Sequence, residues 1–107
     1  MTFFKLAVDG ASRGNPGAAG IGVVLYDEDG KVVREIGEYI GNTTNNIAEY
    51  KALIRGLEEA LKLGATSIKV QTDSELLARQ VSGIYKVRAA HLAPLYYQVR
   101  ELFARFP

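Results

Sequence analysis

Residues 3–8 alternate apolar and polar positions and then become apolar throughout, which predicts a strand buried on both faces by the time it reaches Asp9 and Gly10. A second β-rich run over 21–26 and a returning run over 31–39, joined by the turn Asp27-Glu28-Asp29-Gly30, predict an antiparallel hairpin. From Asn46 the period changes. Ile47, Tyr50, Leu53, Ile54, Leu57, Ala60 and Leu61 recur at spacings of three and four, the pattern of a helix laying one face on a sheet, and Gly64 stops it. Residues 68–72 alternate again as a short strand. Asp73-Ser74 then opens a second helix running to Ser82-Gly83, with either residue as its cap. After a loop holding Tyr85, Lys86, Val87, Arg88 and His91, Pro94 falls in the first turn of a third helix. Leu92, Leu95, Tyr96, Val99, Leu102, Phe103 and Phe106 form its stripe, which reads as core.

Composition narrows the class without choosing a function. A chain of 107 residues, 48% hydrophobic and 23% charged, is one α/β domain of ordinary globular make-up and no disordered tract. No cysteine is present, so disulfide frameworks and thiolate metal sites are excluded. The Met-Thr-Phe-Phe-Lys start has no long apolar stretch, and no run approaches the roughly 18 apolar residues of a membrane span; a cytoplasmic protein is the expectation. A formal charge of +1 points to local geometry, not a global field, if the partner is a nucleic acid. The glycine-rich segment 10–20 invites a dinucleotide fingerprint, but a β-rich run follows it where a helix is required. It is read as a loop leading into the hairpin. No Gly-Lys-Ser or Gly-Lys-Thr occurs, so a P-loop is excluded too.

Candidate chemistry lies in the acids at element ends. Asn46 followed by Glu49 has the capping-box form, which by itself says only that a helix starts. Asp9 and Asp73, however, each follow an apolar run and so sit where strands end. Three carboxylates converging on one point repel, and a divalent cation is the usual reason to tolerate that.

The order strand, hairpin, helix, strand, helix, helix, with these acids at its joints, resembles type I ribonuclease H. The motifs that carry the resemblance are Val8-Asp9-Gly10-Ala11-Ser12 with Gly14-Asn15-Pro16-Gly17, Thr43-Thr44-Asn45-Asn46 with Glu49, Thr72-Asp73-Ser74, and Gly83-Ile84-Tyr85. The resemblance implies a ribonuclease H-like mixed sheet, antiparallel hairpin strands beside parallel ones, flanked by helices. It implies hydrolysis of the RNA strand of RNA/DNA hybrids with two divalent ions, Mg²⁺ or Mn²⁺. Asp9 would bridge both ions, and Glu49 and Asp73 would complete the site on the leaving-group side. Gly10, Ala11 and Asn45 would meet the RNA strand in its minor groove, Asn15 would face the DNA strand, and Thr44, Asn46 and Ser74 would form a pocket for a DNA phosphate.

Where the family pattern continues with a further parallel strand, a loop carrying a His and a last helix opening with a fourth Asp, residues 1–107 hold none of these. His91 lies before the third helix and reads as a surface or helix-start residue; Glu101 reads as a solvated helix charge, and Lys86 and Arg88 as solvated charges or phosphate contacts. Without a fifth strand, residues 68–72 would expose an unpaired edge, which predicts either self-association through it or reduced stability. Two other readings stand beside the nuclease: a non-catalytic module that grips a hybrid without cutting it, and a plain domain whose acids cap helices.

Overall fold

The structure, a computed structural model, describes residues 2–83 and 86–106. The chain runs β1 (Phe3–Ser12), β2 (Gly17–Tyr26), β3 (Val32–Thr43), α1 (Asn45–Lys62), β4 (Ser67–Thr72), α2 (Glu75–Val81) and α3 (Ala93–Phe103). The strands form one mixed sheet in the order β3-β2-β1-β4. β1 pairs antiparallel with β2 and parallel with β4, and β2 pairs antiparallel with β3. This is the ribonuclease H-like arrangement expected from the element order, with β4 on an open edge.

Alternation sorts the sheet into two faces. Phe4, Leu6 and Val8 of β1 and Ile21, Val23 and Leu25 of β2 are buried, and they meet Tyr50, Leu53 and Leu57 of α1 in one core that α2 and α3 complete through Leu77, Val99 and Leu102. Each such side chain, fully buried, stabilises the fold by roughly 1.5–3 kcal/mol. The approach of helix to sheet is close. A Cβ on Gly56 would stand 2.6 Å from Leu6 Cδ1, so glycine there lets α1 settle against β1. Glu59 fastens the outer strand: it is 7% exposed and binds Arg55 Nη1 at 2.9 Å and Arg34 Nε at 3.2 Å, while Arg55 Nε reaches Glu38 at 2.9 Å. The opposite face, with Lys5, Ala7, Asp9 and Ala11 on β1 and Lys69 and Gln71 on β4, is half-buried or exposed. Among the described residues no helix is long and apolar enough to cross a membrane.

Two boundaries differ from the sequence reading, and a third is decided between its alternatives. The segment 10–20 is mostly strand and not loop: Gly10, Ala11 and Ser12 pair with Ile21, Gly20 and Ala19, and only residues 13–16 turn the chain. A ladder is built from backbone groups, so small residues can join it when their neighbours hold the register. Asp9 consequently lies within β1, opposite Gly22, and not at its end. The α1 cap is Thr44, whose Oγ1 accepts from the Ile47 N–H at 3.3 Å; Asn46 is already helical, and the Asn46/Glu49 capping box does not form. Because β3 runs to Thr43 without an intervening loop, the first residue to leave the strand takes the cap. For α2 the cap is Ser74, whose Oγ accepts from the Leu77 N–H at 3.1 Å, which releases Asp73 from that role. Gly83 turns the chain after α2 with φ of 84°; Ile84 and Tyr85 of that motif lie outside the described residues.

Candidate active site

The β1/β4 ladder ends at the pair Val8 and Thr72. Asp9, still within β1, and Asp73, just past the end of β4, are the next residues along the two parallel segments, so their backbones lie at the same level, and both residues are exposed. Glu49 comes to this rim by a different route. Gly10 touches the first turns of α1 so closely that a Cβ there would stand 2.4 Å from the Ala48 carbonyl and 2.6 Å from the Glu49 backbone nitrogen. Only glycine allows that contact, and it sets half-buried Glu49 beside the strand that carries Asp9. Positions 9, 49 and 73 thus share one rim through backbone geometry.

None of these carboxylates is spent on structure. Among the described residues no side-chain hydrogen bond or ion pair engages Asp9, Glu49 or Asp73, whereas Glu38, Glu59, Glu75 and Glu101 all hold arginines. The rim offers carboxylate oxygen alone, a donor set suited to a hard cation such as Mg²⁺. The side chains as they stand are not gathered: among the described residues no group of three His, Cys, Asp or Glu could hold a metal ion. An open groove of about 490 Å³, lined by Ala7, Val8, Gln71, Thr72 and Asp73, adjoins the end of the parallel ladder.

A hydrogen-bonded corner lies at the far end of β1. Asn45 Oδ1 accepts from the Ser12 N–H at 2.7 Å and from the Ser12 hydroxyl at 3.0 Å, and that hydroxyl also reaches the Gly14 carbonyl. The Asn45 N–H in turn donates to Asn15 Oδ1 at 3.2 Å. The turn after β1 and the start of α1 are therefore tied together, with Asn15 and Asn45 both exposed. Ala11 is exposed between this corner and the acidic rim, and Asn46 is half-buried on the first turn of α1. The Thr44 and Ser74 hydroxyls are occupied as caps. His91 is exposed, as are Lys86 and Arg88, and Glu101 pairs with Arg105 at 3.4 Å on the surface of α3.

Two features escaped the sequence reading. Ser12 is part of the Val8–Ser12 motif but has no role of its own there, and nothing in its neighbours announces a bond to residue 45. Tyr50 reads only as one more stripe residue, and its partner Gln80, joined to it at 2.6 Å inside the core, is not singled out at all.

A family model described as reverse transcriptase-like matches residues 7–107. The chain is 47% identical over 102 residues to the bifunctional protein Rv2228c of Mycobacterium tuberculosis, covering 94% of this chain and 28% of that protein. Against the solved N-terminal RNase H domain of Rv2228c the TM-score is 0.96 at 45% identity, covering 99% of this chain and 77% of that one. Ribonuclease HI of Halobacterium salinarum is 45% identical over 98 residues, 92% of this chain and 49% of the relative. LC11-RNase H1 in complex with an RNA/DNA hybrid superposes with a TM-score of 0.91 at 42% identity, covering 96% of this chain and 78% of that one. The chain thus spans half or less of the length of these curated relatives and about three quarters of the solved domains. With its strand order and these likenesses together, the chain belongs to the ribonuclease H family.

Proposed function

We propose that the chain acts on RNA/DNA hybrids as a Mg²⁺-dependent endonuclease directed at the RNA strand, with Mn²⁺ as a substitute ion and the cytoplasm as its compartment. The observation that carries this reading is the shared rim of Asp9, Glu49 and Asp73, held by the β1/β4 register and by the Gly10 contact with α1. The hybrid bound by LC11-RNase H1 supplies the substrate class by likeness. Asp9 would bridge two ions, and Glu49 and Asp73 would hold the one on the leaving-group side. Bound there, divalent ions supply Lewis-acid stabilisation of the phosphate oxygens and a water of lowered pKa. The protein's own part is to bring three carboxylates to one place and to seat the hybrid. Exposed Ala11, beside buried Gly10, leaves room for a sugar edge, Asn45 reads the RNA strand and Asn15 the DNA strand, and the first turn of α1 around Thr44 and Asn46, with Ser74, faces a DNA phosphate.

A second reading is favoured by one observation, that no three of the described acids are gathered. In it the same surface grips a hybrid without cutting it. Incubating end-labelled RNA/DNA hybrid, DNA duplex and RNA duplex with the protein in Mg²⁺ or in EDTA separates the two. RNA-strand cleavage of the hybrid in Mg²⁺ supports the nuclease, binding without cleavage supports the gripping module, and failure to bind the hybrid removes both. We also propose that β4, whose outer edge has no partner strand among the described residues, pairs with a second copy of the chain.

A further inference from the structure

We propose that the outer edge of β3 is a self-complementary interface, at which two copies of the chain pair antiparallel about a two-fold axis through Ile36. β3 is the edge of the sheet opposite β4, and among the described residues no strand pairs with its outer side. Edge strands are commonly kept from pairing by being short, by proline or by lysine. β3 is 12 residues long and holds neither Pro nor Lys. Its charges are of both signs, Arg34 against Glu35 and Glu38. Apolar side chains stand exposed on either side of this charged stretch, Val32 at 53% and Val33 at 37% before it and Tyr39 at 72% after it.

Two-fold symmetry limits what such an edge can meet. Antiparallel pairing of β3 with its own copy keeps each face of the sheet continuous, so every residue meets one of its own parity and the register is centred on a residue. Centred on Ile36, the pairing sets Arg34 opposite the partner's Glu38 on both sides of the axis, and sets Glu35 opposite the partner's Gly37. Centred on Glu35, it would set two like charges face to face; centred on Gly37, it would set Glu38 against the partner's Ile36 and leave the charges unmatched. Charge therefore selects one register. Ion pairs within the chain do not compete with it. Arg34 reaches Glu59 through Nε and Glu38 reaches Arg55 through Oε1, and 46% and 43% of these two side chains stay exposed. The remaining Arg34 nitrogens and the second Glu38 oxygen are left for the contact across the axis. The β2/β3 register is unbroken from Arg34 to Tyr39, so the outward backbone groups of this stretch alternate regularly. At each end the Tyr39 ring of one copy comes over the Val33 end of the other. The contact shares no residue with the β4 pairing, each by itself gives a dimer, and neither depends on the nuclease reading.

The test is disulfide trapping. The chain has no cysteine, so one introduced thiol reports one position. In Ile36→Cys the two thiols face each other across the axis with Cβ atoms about 4.5–5.5 Å apart, within reach of oxidation to a disulfide. In Tyr39→Cys the thiols are more exposed but lie roughly 20 Å apart in the dimer, so they oxidise only by random collision. Ile36→Cys is expected to form the covalent dimer at least about ten-fold faster than Tyr39→Cys. Adding Glu38→Arg, which sets like charges opposite each other twice, is expected to slow trapping about ten-fold, whereas Glu38→Gln, which also gives up the bond to Arg55, slows it no more than about three-fold. Ile36 packs partly against the core, so a mixture of Glu35→Cys and Gly37→Cys is the second reporter. Both positions are exposed, and a Cβ on Gly37 meets nothing within 4 Å. The mixed disulfide is expected there, again slowed by Glu38→Arg. Melts in reductant show which Cys variants keep the fold, and the second reporter decides if Ile36→Cys does not. Trapping no faster than in Tyr39→Cys, or a rate that Glu38→Arg leaves unchanged, overturns the inference and leaves the β4 contact standing.

Discussion

The Tyr50 hydroxyl donates to Gln80 Oε1 at 2.6 Å across the buried contact between α1 and α2. Tyr50 follows Glu49 in the chain, and Gln80 lies on the helix that opens directly after Asp73 and Ser74. One buried hydrogen bond thus braces two of the elements that carry the acidic rim. Tyr50→Phe leaves the buried Gln80 oxygen without its donor, and the expected loss of stability is about 1–3 kcal/mol. Urea unfolding of the two proteins measures it; equal midpoints would mean that the bond contributes nothing.

The same residue gives the fold a signature at high pH. Burial, with a smaller contribution from Tyr96, pushes the Tyr50 phenol up from 10.0 to about 12. The folded protein therefore holds this proton over a range in which the unfolded chain has already released it. The resulting stability is fully present below pH 10.0 and is lost as pH rises through about 12. Its size is on the order of 2 kcal/mol. Unfolding free energies measured from pH 9 to 12 should fall more steeply in wild type than in Tyr50→Phe; parallel curves would remove the effect.

Gly10→Ala tests the contact that sets Glu49 beside β1. The added carbon would meet the Ala48 carbonyl at 2.4 Å, and both partners are backbone, so neither can swing aside. A loss of about 3 kcal/mol is expected, together with displacement of the first turn of α1. Circular-dichroism melts check the first. A variant as stable as wild type would show that strand and helix are not in contact there.

β4 gives a concentration-dependent prediction. Among the described residues no strand pairs with its outer edge, and its Lys69 and Gln71 are exposed. Sedimentation velocity over a rising protein series should show a monomer–dimer equilibrium. A strict monomer at the highest concentrations would contradict strand pairing between copies.

The sequence reading succeeded where period carried the information. The α1 stripe follows directly from residues such as Leu53 and Leu57, because burial on one face enforces the pattern. β1, expected to become buried on both faces, instead alternates to its end, with Asp9 and Ala11 exposed, because α1 covers only one face of the sheet. The reading failed where the controlling interaction was between backbones. Gly10, Ala11 and Ser12 look like loop residues because composition cannot show that a neighbouring strand holds them in register. Thr44 took the cap that Asn46 and Glu49 seemed to claim, because the end of β3 decides where the helix begins. Of the candidate acids only Asp73, next after β4, lies at an element end; Asp9 sits within β1 and Glu49 within α1. The link from Ser12 to Asn45 was not legible at all: the two residues are 33 apart, and neither alone implies the other.

The most direct measurement is cleavage of a labelled RNA/DNA hybrid in Mg²⁺ by wild type and by Asp9→Asn, with the fold of the variant verified by its melt. The isosteric amide removes the charge that would bridge the ions and little else. The account predicts RNA-strand cleavage by wild type and a loss of at least about 1,000-fold in the variant, the scale expected when a metal ligand of a hydrolase is neutralised. A variant that cuts the hybrid as fast as wild type would contradict the claim that the acidic rim is the active site.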